Sequence, residues 1–115
     1  MRLSLLVQGE PCTSFAPHNA LAFARAAVAA GHGIGRVFFY KDAALLGSRF
    51  AADEQKLRDG WTALATEAGF ELAVCISAAA RRGIVEEHSL ADGFTIVGLG
   101  QMIEAMEESD RLVAF

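Results

Sequence analysis

A chain of 115 residues in which 53% are hydrophobic and 21% charged has the composition of one compact domain, not of a disordered tract or a two-domain protein. Ten Lys and Arg stand against 14 Asp and Glu, a formal charge of -4 with no basic block, which argues against a groove for RNA or DNA phosphates. Two cysteines are too few for a disulfide framework and fit a reducing compartment, so cytoplasm is the expected location.

The opening MRLSLLVQG is mostly apolar only over Leu3 to Val7, too short for a secretion signal, and no run of about 18 apolar residues follows to span a membrane. Arg2 to Gln8 reads instead as a strand that is apolar on both faces, as in a parallel sheet covered by helices on each side. The polar, turn-rich segment Gly9 to Asn19 is expected to cross the edge of the sheet as a loop. Leu21, Phe23, Ala24, Ala27 and Val28 then recur with helical spacing, and Gly31 supplies a stop.

Gly35 to Tyr40 is a second strand of β-branched and aromatic residues, followed by an irregular stretch from Lys41 to Ala52. An amphipathic helix is expected from Asp53 to Ala68. Leu57, Trp61, Leu64, Ala65 and Ala68 share one face, with Glu54, Arg58, Asp59, Thr62 and Glu67 elsewhere. Asp53 caps its start, Glu54 and Arg58 form an i,i+4 pair, and Gly69 ends it.

Glu71 to Ile76, Phe94 to Val97 and Arg111 to Phe115 complete the strands. Between the last two, Leu99, Met102, Ile103 and Met106 repeat at i, i+3, i+4 and i+7, with Gln101, Glu104, Glu107 and Glu108 turned outward. Strands alternating with helices predict an α/β fold: a three-layer α/β/α sandwich around a mostly parallel five-stranded sheet with right-handed crossovers.

The chemistry is expected in FELAVCISAAARRGIV, Phe70 to Val85, where a buried strand runs into a helix start with Cys75 at the junction. The carboxyl end of a parallel strand opens onto a crevice, and the unpaired N–H groups of the following helix favour a thiolate. The alternative is a small buried hydrophobe closing a core strand. Arg81 and Arg82 lie six and seven residues further on, too far along a helix to pair directly with the sulfur, and read as charges at a helix end. His18, in the loop after the first strand, is on the right edge to act as a base, or is a solvated turn residue. His32 belongs to the opposite edge and is structural.

Gly98-Leu99-Gly100 has the layout of a phosphate-binding turn, but Ile103 takes the third glycine's place and there is no Walker lysine, so these are tight-turn residues. A small nucleotide-binding domain has no other support. No His, Cys, Asp or Glu set has metal-ligand spacing. No metal and no organic cofactor is expected.

CISAAARRGIVEE (75–87), GRVFFYKDA (35–43) and GFTIVGLGQMIEAMEESDRLVAF (93–115) together resemble the DsrE/TusD family of sulfur-relay proteins. The resemblance implies one DsrE/TusD-like domain over residues 1–115 and a sulfurtransferase in which Cys75 carries sulfane sulfur as a persulfide. Ser77, Ala78 and Ala79 would then hold the persulfide anion through backbone N–H groups. It also implies sulfur-donor and sulfur-acceptor proteins, and assembly with homologous subunits or with itself, often as a hexamer. The setting would be tRNA 2-thiouridine synthesis or dissimilatory sulfur oxidation, with the tRNA handled by another enzyme. The alternative is a non-catalytic assembly subunit.

Two further features follow from setting the chain beside that family. HSLADG, between Glu87 and Phe94, is shorter than the family's usual connection there. Cys12 lies outside the motif: if the first and third strands are neighbours it is placed to resolve the Cys75 persulfide, and otherwise it is a loop cysteine packed under the first helix.

Overall fold

The computed structural model describes residues 1–51, 54–85 and 88–115. Five strands, β1 (Arg2–Val7), β2 (Gly33–Phe39), β3 (Glu71–Cys75), β4 (Phe94–Val97) and β5 (Arg111–Ala114), form one sheet in the order β4-β3-β2-β1-β5. All four pairings are parallel. The helices are α1 (Ala16–Ala29), α2 (Gln55–Ala68), α3 (Ile76–Arg81) and α4 (Leu99–Glu108), with a 3-10 helix at Lys41–Gly47.

The connections from β1 through β4 all step the same way across the sheet, and the last returns to the far side of β1. Right-handed crossovers therefore place α1, α2 and α3 on one face and α4 on the other, giving the three-layer sandwich. Arg36 on β2 fastens α4 to its face: Nε bonds Glu71 Oε2 at 2.8 Å and Nη1 donates to the Gln101 carbonyl at 2.9 Å.

The strand order corrects one expectation. β2 lies between β1 and β3, so the two strands that precede Cys12 and end in Cys75 are not neighbours; at about 4.8 Å per strand they run nearly 10 Å apart.

The expected face of α2 forms the middle of the core. Trp61 is fully buried, with its ring edge-on to Phe39 at 5.4 Å between centroids, and Leu57, Leu64 and Ala65 are buried beside it. Leu57 and Leu64 each contribute roughly 1.5–3 kcal/mol of burial free energy. Gly69, at φ 75°, ends the helix in the left-handed region, its N–H bonded to the Ala65 carbonyl. Asp53, the expected cap, falls outside the described residues. Arg58, expected off the apolar face and paired with Glu54, is 8% exposed, and its Nη1 donates instead to the carbonyls of Ser48 and Ala51. A long aliphatic stem lets this residue cross the core margin while its head satisfies loop carbonyls.

Strand β2 starts two residues earlier than expected, at Gly33, and three larger differences concern the helices. α1 begins at Ala16, inside the expected loop, because Pro17 suits the first helical turn. Lys41–Gly47 is helical where irregular chain was expected, burying Ala43, Ala44 and Leu46. On α4 only Ala105 is buried and Met102 half-buried; Leu99, Ile103 and Met106 are exposed by 45%, 53% and 43%. The apolar band of that helix is wider than the sheet beneath it can cover.

Candidate functional site

Cys75 is at once the last residue of β3 and the N-cap of α3, with extended backbone at φ -62° and ψ 128°. It pairs with Val97 across the β3–β4 ladder and is 1% exposed. The chain passes from strand to helix here as the fully buried run Leu72-Ala73-Val74-Cys75 gives way to three consecutive alanines, which favour helix and take little room. Ile76 and Ser77 face solvent at the helix start, whereas Ala78 and Ala79 are buried beneath it. Of the residues named for a backbone cradle, Ser77 and Ala78 lie in the first turn after the thiol, where N–H groups lack intrahelical partners, whereas Ala79 is the fourth helical residue and its N–H is taken by the Cys75 carbonyl in the first bond of the helix.

Arg82 does not turn toward the thiol. Its Nη1 donates to the Ala78 carbonyl at 2.9 Å and its Nη2 pairs with Asp42, tying the short α3 to the 3-10 segment. Arg81 is exposed at the helix end.

His18 is in the first turn of α1, which corrects its expected place in the loop. The ring is 3.3 Å from the Pro11 carbonyl through Nε2. A carbonyl only accepts, so Nε2 carries the proton and the ring braces the preceding loop. His32 lies at the opposite edge, with Nδ1 3.1 Å from the amino-terminal nitrogen.

Cys12 is exposed and free, as Cys75 is buried and free. Its Sγ donates to Glu54 Oε1 at 2.8 Å, and its backbone N–H donates to Glu10 Oε1 at 3.0 Å. The Glu54 hydrogen bond, followed by desolvation and the Glu10 carboxylate, pushes the thiol up to about 12. Glu10, Pro11, Cys12, Leu45, Phe50, Ala51 and Glu54 line a cavity of about 270 Å³ beside it.

Sequence reading missed the strap that holds the α3–β4 connection. Ser89, 5% exposed, accepts from the Val85 N–H at 2.7 Å and donates to the Gly83 carbonyl at 3.0 Å. Arg49 N–H donates to the Ser89 carbonyl at 2.8 Å, Ala91 N–H to the Gly47 carbonyl at 2.7 Å, and Ser48 bridges Leu90. A serine inside a short polar loop carries no sequence signal of such a pairing partner. Glu86 and Glu87, the acidic pair of the motif, fall outside the described residues.

Gly98 and Gly100 are also not what a tight turn requires. Gly98 has φ -89° at the N-cap of α4, Gly100 is inside the helix, and a Cβ on either would meet no atom within 4 Å. Among the described residues no group of three or more His, Cys, Asp or Glu is placed to hold a metal, and no helix is long and apolar enough to cross a membrane.

A parallel α/β sandwich with a cysteine closing its third strand at a helix start defines a class of small thiol-bearing domains. The chain belongs to the DsrE/DsrF-like family, whose model matches residues 1–115. It is 38% identical to the sulfurtransferase TusD of Enterobacter sp. (strain 638), covering 100% of both chains, and 39% identical to a sulfurtransferase TusD homolog of Vibrio cholerae, covering 97% of this chain and 95% of that one. The first alignment runs over 128 positions, so that relative carries residues this chain lacks. In fold it is similar to the ychN protein from E. coli, with a TM-score of 0.84 at 20% identity over 100% of this chain and 99% of that one, and to MTH1491 from Methanobacterium thermoautotrophicum, at 0.74 and 14% over 97% of each. The relatives assign it sulfurtransferase activity.

Proposed function

We propose that the chain is a sulfur-relay protein in which Cys75 takes up sulfane sulfur as a persulfide and passes it to a partner thiol. The observation that carries this reading is the place of Cys75 as both strand end and helix N-cap. In the first step the Cys75 thiolate attacks the outer sulfur of a donor persulfide; the donor S–S bond breaks, the donor leaves as a thiolate, and a new S–S bond forms on Cys75. In the second, an acceptor thiolate attacks that outer sulfur and Cys75 leaves as a thiolate. No net oxidation occurs, so neither step needs a metal or organic cofactor. The free first-turn N–H groups of Ser77 and Ala78 stabilise the terminal sulfur's charge, and Ala79 closes the turn behind them.

The thiol's burial requires its cover to move before either partner reaches it. The donor and acceptor are proteins, the setting is cytoplasmic, and the route is tRNA 2-thiouridine synthesis or dissimilatory sulfur oxidation, which share this chemistry. Assembly is with homologous subunits or with further copies of the chain, as a hexamer.

The same burial favours a second reading, a non-catalytic assembly subunit in which Cys75 serves only as a core residue. Incubation with a small persulfide donor followed by peptide mapping separates the two. The relay reading expects a gain of about 32 Da, one sulfur atom, on the Cys75 peptide. An unchanged Cys75 peptide supports the assembly subunit.

A further inference from the structure

The exposed side of α4 has three zones in order around the helix. Ala105 and Met102 face the sheet; Leu99, Ile103 and Met106 follow, within an arc of about 60° at 100° per residue; then come Glu107, Glu104 and Glu108, all exposed. The two ion pairs among the described residues, Arg36–Glu71 and Arg82–Asp42, use none of these carboxylates. An apolar stripe at i, i+4 and i+7 beside an acidic flank outside those pairs is a surface with both anchors and a charge preference.

We propose that this face of α4 is where the sulfur-exchanging partner of Cys75 docks, and that the partner meets it with an apolar patch bordered by Lys and Arg. The proposal rests on the reading of Cys75 as a carrier. Position supports it: Leu99 follows two residues after Val97, the ladder partner of Cys75, and Ile76, next to Cys75, is itself 55% exposed. The stripe starts at the sheet edge where sulfur is exchanged and extends about 10 Å along the helix. Charge decides the occupant. An antiparallel twofold contact of α4 with α4 in a second copy would set glutamates against glutamates, whereas a basic partner neutralises them.

A synthetic helical peptide with leucines at i, i+4 and i+7 flanked by lysines, and a second flanked by glutamates, provide the probes for fluorescence anisotropy. The lysine peptide is expected to bind the wild-type and Cys75→Ser chains alike. Binding should weaken about tenfold with Ile103→Ser, about tenfold with Glu104→Lys plus Glu107→Lys, and further as salt rises. No binding of the lysine peptide, equal binding of the glutamate peptide, or indifference to Ile103→Ser overturns the proposal. Self-association in sedimentation that Ile103→Ser abolishes also overturns it, because the face then belongs to a second copy. Binding by Cys75→Ser keeps the result separate from the carrier reading: wild type that binds the peptide but takes up no sulfur loses that reading and keeps the surface.

Discussion

The Cys12 thiol donates to Glu54 Oε1 at 2.8 Å, joining the loop after β1 to the N-cap of α2. A carboxylate acceptor stabilises the protonated thiol, and with desolvation and Glu10 it pushes the group up to about 12. The folded chain thus holds this proton more tightly than the unfolded chain, whose thiol titrates near 8.5. The contribution to stability is present in full below that value and is lost as pH rises toward 12. At about pH 8 Cys12 should react slowly with iodoacetamide although exposed, and Glu54→Gln should accelerate it several-fold. Alkylation of wild-type Cys12 at the rate of a free thiol would contradict this.

Glu10 responds in the opposite direction. Its carboxylate accepts from the N–H groups of Cys12 and Thr13 and from the Thr13 hydroxyl, and these bonds, the Cys12 amide foremost, lower its pKa below the ordinary 4.5. The bonds contribute stability above that pH and lose it as pH falls through the lowered value. Amide exchange at Cys12 and Thr13 should therefore be slow near neutrality and quicken relative to other loop amides in acid. Protection that persists after Glu10 is protonated would count against this role.

Two glycines near the thiol's strand should answer differently to alanine. A Cβ on Gly47 would stand 2.8 Å from Val74 Cγ2, in the buried layer against β3, so Gly47→Ala should cost about 1–3 kcal/mol. Gly100 has open space and a helical position, so Gly100→Ala should stabilise by about 0.5–1 kcal/mol. Urea unfolding of the two variants gives the comparison, and a neutral Gly47→Ala would contradict the packing described.

The strands and α2 were legible because their signals are local: alternation or helical spacing, with glycine punctuation, identifies Phe94–Val97 to the residue and the buried face of Trp61. Periodicity on α4 revealed an apolar stripe but not what lies against it; that depends on where the crossover sets the helix, and only Ala105 and Met102 reach the sheet. Strand order is likewise non-local, and nothing in the residues of β1 says that β2 rather than β3 will pair with it. The place of Cys75 at a strand-to-helix junction was legible from the local pattern. Its burial, and the Glu54 acceptor that occupies Cys12, arise from tertiary contacts no spacing encodes.

The central claim is that sulfur is carried on Cys75 and nowhere else in the chain. Loading the wild-type, Cys75→Ser and Cys12→Ser chains with a ³⁵S-labelled persulfide donor, then chasing with an acceptor thiol, tests it most directly. Wild type and Cys12→Ser should take up label stoichiometrically and release it to the acceptor, while a folded Cys75→Ser takes up none. Label retained by Cys75→Ser, or uptake lost in Cys12→Ser, would contradict it.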